Sequence, residues 1–173
     1  MPKQLKIYPE KCIGCKSCEL VCSLVNDGEF NLNKSRISVI FFLEGKYPLP
    51  YNFVSTCKQC NDAPCIHSCP VEAISRMDDE KKAIVIDFDK CVGCGLCVEV
   101  CPFGAMLFDK EKKKPFKCEL CGEREPACAS ICPTGAITFI EQDPFSSKAE
   151  ASQLDGYIVL SQRNRKNLRQ SNS

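Results

Sequence analysis

Cys91-Val92-Gly93-Cys94-Gly95-Leu96-Cys97-Val98-Glu99-Val100-Cys101-Pro102 is the stretch that decides how this chain is read. It spaces four thiols as Cys-x2-Cys-x2-Cys-x3-Cys and closes on proline. Working outward, the same plan recurs three more times. Cys12, Cys15, Cys18 and Cys22 repeat it without change of spacing. Cys57, Cys60, Cys65 and Cys69 widen the second gap to four residues, and Cys118, Cys121, Cys128 and Cys132 widen it to six. The lead-ins match: Pro9-Glu10-Lys11-Cys12-Ile13-Gly14-Cys15 against Phe88-Asp89-Lys90-Cys91-Val92-Gly93-Cys94. The exits match too: Cys69-Pro70-Val71-Glu72-Ala73, Cys101-Pro102-Phe103-Gly104-Ala105 and Cys132-Pro133-Thr134-Gly135-Ala136. The repetition predicts one half-unit used four times.

A cubane [4Fe–4S] cluster takes four thiolates in a tetrahedral arrangement. Three cysteines on a tight loop surround one face of it, and the fourth comes from elsewhere. In the Cys-x2-Cys-x2-Cys-x3-Cys-Pro run, that last cysteine ligates the other cluster of a pair. Pro70, Pro102 and Pro133 are expected to turn the chain away from the crossing cysteine. Gly14, Gly93 and Gly95 are expected to let the backbone close around the cluster. Sixteen cysteines divided by four gives four clusters with none left over. Zinc also takes Cys-x2-Cys pairs, but has no use for a third cysteine followed by x3-Cys-Pro.

Composition narrows the class further. The chain has 173 residues, a formal net charge of +1, one His and no Trp. Such a balance points to no nucleic acid or anionic membrane partner. Sixteen cysteines in a short secreted chain would suggest a disulfide scaffold. The opening Met1-Pro2-Lys3-Gln4-Leu5-Lys6 has no apolar signal region, however, and the cysteines follow cluster spacing. Reduced thiolates in the cytoplasm are the expectation. The longest apolar run, Ile37 to Leu43, is strand-sized and far short of a membrane span.

Short strands and turns are expected between the blocks, in an α+β fold. Lys6-Ile7-Tyr8 is expected to pair with Ile137-Thr138-Phe139-Ile140. Ala73 to Ser75 and Ala83 to Asp87 flank a charged turn, as do Ala105 to Phe108 and Pro115 to Lys117. Arg36 to Phe42 is β-branched and aromatic, hence a strand, broken by Gly45, Pro48 and Pro50. Helical turns are expected after each third cysteine, as at Glu19-Leu20-Val21 and Val98-Glu99-Val100. Ser146-Ser147 is read as the cap of a helix to about Leu154, Tyr157 to Leu160 as an apolar patch, and Arg163 to Ser173 as a basic tail.

On these blocks the chain resembles the four-cluster, double-ferredoxin electron-transfer subunits of multi-subunit oxidoreductases. These include the iron–sulfur subunits of the dimethyl sulfoxide reductase, formate dehydrogenase and hydrogenase-linked enzymes. Cys18-Glu19-Leu20-Val21-Cys22-Ser23-Leu24-Val25-Asn26-Asp27-Gly28-Glu29-Phe30-Asn31, followed by Ser35-Arg36-Ile37, is similar to the small subunits that partner tungsten aldehyde oxidoreductases and tungsten benzoyl-CoA reductases. The resemblance implies two nested ferredoxin-like units. Residues 1–33 with 109–141 would form the outer one, and 51–108 the inserted one. Residues 34–50 would be a strand and loop insertion, and 142–173 a C-terminal extension that docks a partner or is partly disordered. It also implies the ligand sets. Cys12, Cys15 and Cys18 would share a cluster with Cys132, and Cys118, Cys121 and Cys128 one with Cys22. Cys57, Cys60 and Cys65 would join Cys101, and Cys91, Cys94 and Cys97 would join Cys69. The pattern breaks at Cys22, which is followed by Ser23 and not proline.

The chain shows no phosphate-cradling loop, dinucleotide fingerprint or catalytic triad. A non-catalytic relay is therefore expected. It would pass single electrons to or from a large catalytic subunit, a tungsten- or molybdenum-pterin enzyme on this resemblance. Ferredoxin or a further redox subunit would stand at its other end. The alternative is a free-standing polyferredoxin, acting as a mobile carrier or maturation factor. His67 is read as a solvated loop histidine, with cluster tuning or proton passage as its sharper role. Lys110, Lys112, Lys113 and Lys114 are read as a solvated turn, with docking of an acidic partner as theirs. Arg163, Arg165, Lys166 and Arg169 suit either a partner's grip or a frayed end. Tyr8, Phe41 and Phe42 are read as packing or cluster shielding.

Overall fold

The residue that follows each fourth cysteine sets the length of the helix before it. A residue preceding proline is driven out of helical conformation by the ring. In the computed structural model, which describes residues 3–41 and 52–141, this happens at two of the Cys-Pro pairs. Helix α3, Leu96–Val100, stops at Cys101 (φ −69°, ψ 111°), and α4, Ala127–Ile131, stops at Cys132 (φ −68°, ψ 111°). Helix α2, Pro64–His67, ends just ahead of Cys69-Pro70. With Ser23 in place of proline, α1 runs on from Ser17 to Asp27 through Cys22, and Gly28 in left-handed conformation ends it.

Helical turns follow the third cysteine as expected, with Glu19 to Val21 inside α1 and Val98 to Val100 inside α3, but the helices start earlier than it. Each begins one residue before it, so Cys18, Cys65, Cys97 and Cys128 all occupy the second helical residue. The reason lies upstream. Lys16 (φ 60°) and Gly95 (φ 78°) turn the chain through the left-handed region directly ahead of α1 and α3.

Four two-stranded antiparallel ladders complete the architecture. Strand β1, Lys3–Ile7, pairs with β8, Ile137–Glu141, in the register Ile7 opposite Ile137. That pairing agrees with the sequence expectation, with β1 extending further toward the N-terminus. Strand β2, Ile37–Phe41, pairs with β3, Asn52–Thr56, a strand the sequence reading did not assign. Ladders β4 (Ile74–Arg76) with β5 (Ile84–Ile86), and β6 (Leu107–Asp109) with β7 (Lys114–Phe116), are the two expected hairpins. Both β4 and β6 start a residue or two later than expected. The Gly45 to Pro50 break, Phe42 and the features after Glu141 lie outside the described residues.

Helix α1 packs on α4, and α2 on α3. Cysteines take part in the packing itself. Ile74, Ile84, Val98 and Met106 form one apolar cluster with Cys97, and Ile37, Val39, Val54 and Ile137 form another with Cys18, Cys22 and Cys128. Apolar side chains thus enclose the thiols of both helix pairs, removing water from them. No helix among the described residues is long and apolar enough to cross a membrane.

Candidate metal centres

Each block begins with a loop whose bend is the same in all four copies. The residue before the second cysteine has positive φ: Gly14 at 71°, Gln59 at 51°, Gly93 at 73° and Leu120 at 53°. Glycine adopts this conformation freely, whereas other residues lose roughly 1–2 kcal/mol there. The two non-glycine residues are held by their surroundings. Leu120 is fully buried. The Gln59 amide donates to Cys118 O at 2.9 Å and accepts from the Ile84 N–H at 2.8 Å.

All sixteen cysteines are free thiols, and the loops bring them together in sets. Cys12, Cys15, Cys18 and Cys132 line one pocket of about 320 Å³. Cys22, Cys118, Cys121 and Cys128 line a second of about 330 Å³. Cys57, Cys60, Cys65 and Cys101 line a third of about 370 Å³. Cys69 and Cys91 pack against the cluster that holds the buried Cys97, beside Cys60, Cys65 and Cys101 of the third set. After burial, Cys65, Cys94, Cys91 and Cys69 in turn oppose ionisation of the Cys97 thiol. Among the described residues, no three His, Cys, Asp or Glu side chains converge closely enough to hold a single metal ion. Zinc draws its sulfurs to about 2.3 Å from one centre. Four thiols spread around a pocket suit a group that offers each sulfur its own metal atom, as a cubane does. The donor set therefore fits [4Fe–4S] clusters.

The fourth cysteines receive hydrogen bonds from a repeated source. The Ala73 N–H donates to Cys69 Sγ at 3.2 Å and the Ala105 N–H to Cys101 Sγ at 3.4 Å, each four residues downstream. At Cys132 burial works against ionisation. Hydrogen bonds from the Ile137 N–H, the Thr134 hydroxyl and backbone, and the Ala136 N–H nevertheless hold its thiol below the ordinary value. Cys22, carried on inside α1, takes its N–H from further along the chain, from Arg36 at 3.3 Å. Arg36 is anchored in turn by an ion pair with Asp27 at 2.9 Å.

Burial pushes the remaining buried thiols up from an ordinary value of 9.0. Cys18 reaches about 12, helped by the neighbouring Glu19 carboxylate and Cys12. Cys97 also reaches about 12, next through Cys65, Cys94 and Cys91. Cys65 and Cys118 reach about 11, and Cys128 is raised as well. Such sulfurs stay protonated near neutrality until a metal displaces the proton.

Neighbouring sets also touch. Cys18 shares a packed cluster with Cys22 and Cys128, Cys57 packs beside Cys118 and Leu120, and Cys65 packs against the cluster that holds Cys97. The sets therefore follow one another in a line. Cys12/15/18/132 is followed by Cys22/118/121/128, then Cys57/60/65/101, then Cys69/91/94/97.

Residue models of a known kind match this chain. A 4Fe–4S dicluster domain matches residues 50–142, and a 4Fe–4S binding domain matches residues 5–23. The chain belongs to the 4Fe–4S dicluster family. Like its relatives, it is an iron–sulfur electron-transfer protein that carries [4Fe–4S] clusters, four of them on its sixteen cysteines. It is 39% identical over 125 residues to the polyferredoxin-like subunit of an aliphatic sulfonate oxidoreductase from Pyrococcus furiosus, across 72% of this chain and 68% of that one. It is 30% identical over 156 residues to the thiosulfate reductase electron transfer subunit PhsB of Salmonella typhi, across 86% and 80%. Among solved structures, the active-site complex BamBC of benzoyl coenzyme A reductase gives a TM-score of 0.42 at 24% identity, over 79% of this chain and 78% of that one. At that distance the likeness says nothing about a partner.

The structure also brings polar side chains to this dicluster protein's metal loops that the sequence reading missed. Each loop's cysteine carbonyl is bound by a distant side chain. Asn52 donates to Cys12 O at 2.6 Å, Arg76 to Cys60 O, Lys114 to Cys91 O and Gln59 to Cys118 O at 2.9 Å, an oxygen that also accepts from the adjacent Lys117 at 3.0 Å. Lys114 therefore departs from the solvated turn expected of it, because the β6–β7 hairpin folds its ammonium onto the Cys91 loop. Lys110, Lys112 and Lys113 are exposed as expected, and Lys112 pairs with Asp27 at 3.7 Å. His67 is exposed and bonds Asp62 at 2.9 Å. Glu19, 5% exposed, accepts the Val39 N–H and pairs with Lys16 at 3.6 Å. The one available signal was Lys117 itself, a cation wedged between Phe116 and Cys118 directly after strand β7.

Proposed function

We propose that this chain is the electron-relay subunit of a multi-subunit oxidoreductase, with a tungsten- or molybdenum-pterin enzyme as its catalytic partner. The partner would be of the aldehyde oxidoreductase or benzoyl-CoA reductase type. Each bound cluster supplies one-electron exchange at a potential set by charge, hydrogen bonds to sulfur and burial. The chain's residues hold the clusters in four sets: Cys12, Cys15, Cys18 with Cys132; Cys118, Cys121, Cys128 with Cys22; Cys57, Cys60, Cys65 with Cys101; and Cys91, Cys94, Cys97 with Cys69. Two nested units follow from these sets, residues 1–33 with 109–141 around residues 51–108. Substrate chemistry belongs to the partner.

The linear order of the four thiol sets is the observation that carries this reading. A relay needs neighbours in contact and two ends, whereas separate storage sites need neither. Shared packing of Cys18 with Cys22 and Cys128, of Cys57 with Cys118, and of Cys65 with the Cys97 cluster supports that order.

Native purification without oxygen tests both levels. The relay reading expects about sixteen irons and sixteen sulfides per chain, co-elution with a much larger subunit, and tungsten or molybdenum in that complex. A chain that elutes alone, iron-replete, would instead be a mobile carrier. Cys69→Ser tests the ligand sets. The cluster spectrum to change should be that of the Cys91, Cys94 and Cys97 loop, and a change confined to Cys69's own block would overturn the crossed assignment.

A further inference from the structure

Lys117 is 1% exposed, the one fully buried lysine among the described residues. Its ammonium donates to Ile84 O and to Cys118 O, the latter at 3.0 Å. It also lines the pocket formed by Cys57, Cys60, Cys65 and Cys101. Cys57, from that same pocket, packs beside Cys118 of the Cys22/118/121/128 set. One cation thus stands at the seam between two thiol sets, the middle contact of the line of four.

The two carbonyl oxygens accept from it but carry no full charge to balance it, and a buried unbalanced charge is costly. Four thiolates around a cluster leave each loaded site net negative. The two sites flanking Lys117 therefore provide its counter-charge. The same attraction acts in return on their redox equilibrium. An electron arriving at either site adds negative charge beside a fixed cation, inside a low-dielectric interior where the interaction is strong. Transfer across the seam moves one electron, lost by one site and gained by the other, with no bond made or broken.

We propose that Lys117 is a potential-setting residue at the middle link of the relay, raising the reduction potentials of the Cys22/118/121/128 and Cys57/60/65/101 centres together. The proposal rests on the ligand sets given above. By favouring the electron on both sides of the seam, and not on one alone, Lys117 keeps the central step close to level. Lys117 does not line the Cys12/15/18/132 pocket, and the Cys69/91/94/97 set stands one place further along the line. At one end, the buried Glu19 carboxylate next to Cys18 acts with the opposite sign.

The test compares the anaerobic, cluster-replete full chain with Lys117→Gln, Lys117→Met and Lys117→Arg by paramagnetic-resonance redox titration, with iron counted in each sample. Lys117→Gln retains a donor for the carbonyls and removes the charge. Two of the four potentials should fall by at least 59 mV, a tenfold loss in the equilibrium for one-electron reduction. The other two should hold, and Lys117→Arg should stay near wild type. Iron-replete Gln or Met chains with four unmoved potentials, or with four equal shifts, would overturn the proposal. So would uncharged variants that fail to hold iron while Lys117→Arg holds it, since the charge would then serve assembly and not potential. Wild-type chain with far fewer than sixteen irons would remove the ligand sets instead, and this proposal with them.

Discussion

Gly93 stands in a left-handed turn between Cys91 and Cys94, and a Cβ built there would lie 2.2 Å from the Lys113 carbonyl oxygen. That oxygen belongs to the β6–β7 hairpin backbone and cannot step aside as a side chain would. Gly93→Ala should therefore lose at least about 2 kcal/mol, more than the left-handed conformation alone costs an L-residue. Gly28→Ala is the matched control. It has similar φ (75°) but nothing within 4 Å of the added carbon, so about 1 kcal/mol is expected. Denaturant unfolding of the two loaded variants measures the difference. The need for glycine near Cys94 was readable from the Cys-x-Gly-Cys spacing. The hairpin that presses on it was not, because Lys113 lies twenty residues away in the chain.

Helix α1 shows how one residue changes an element. Ser23 is fully buried; its hydroxyl donates to Leu20 O at 2.9 Å and accepts from the Asn31 N–H at 3.0 Å. Ser23→Pro would give the first block the Cys-Pro ending of the other three. It would also remove a helical hydrogen bond and leave the Asn31 N–H without its acceptor. The expected loss is about 3 kcal/mol or more, with reduced helical circular dichroism. A variant as stable as wild type would show that the extension beyond Cys22 is dispensable. The extension's worth lies in what it positions, since Asp27 at its end holds Arg36, whose N–H reaches back to Cys22. Sequence reading located the missing proline, and the physical rule that proline ends a helix accounts for the longer α1.

Across the molecule, the thiols couple folding to proton and metal binding. In the metal-free chain, Cys18 and Cys97 titrate at about 12 and Cys65 and Cys118 at about 11, because burial disfavours their anions. A folded-state value raised above the unfolded 9.0 means that the folded chain holds these protons more tightly. The stability they contribute is fully present below pH 9 and is lost as pH climbs through 11 to 12. Chemical denaturation of iron-free chain across that range should show the decline. Iron-loaded chain, with no protons on its sulfurs, should lack it, and its metal binding should release protons below pH 9. Equal pH dependence of the two forms would contradict the burial of these thiols.

The four cysteine blocks, the cluster chemistry, the hairpins and the pairing of the strand before the first block with the strand after the last were all legible in one dimension. Each rests on spacing or alternation, which are local properties of a chain. The line of thiol sets, the β2–β3 ladder and the buried cation beside Cys118 came from the fold. Lys117 in sequence is one more lysine after Lys110, Lys112, Lys113 and Lys114. Only the packing of the β4–β5 ladder against the Cys118 loop takes it out of water. A charge acquires its energetic meaning from its surroundings, and those are assembled from segments far apart in the chain.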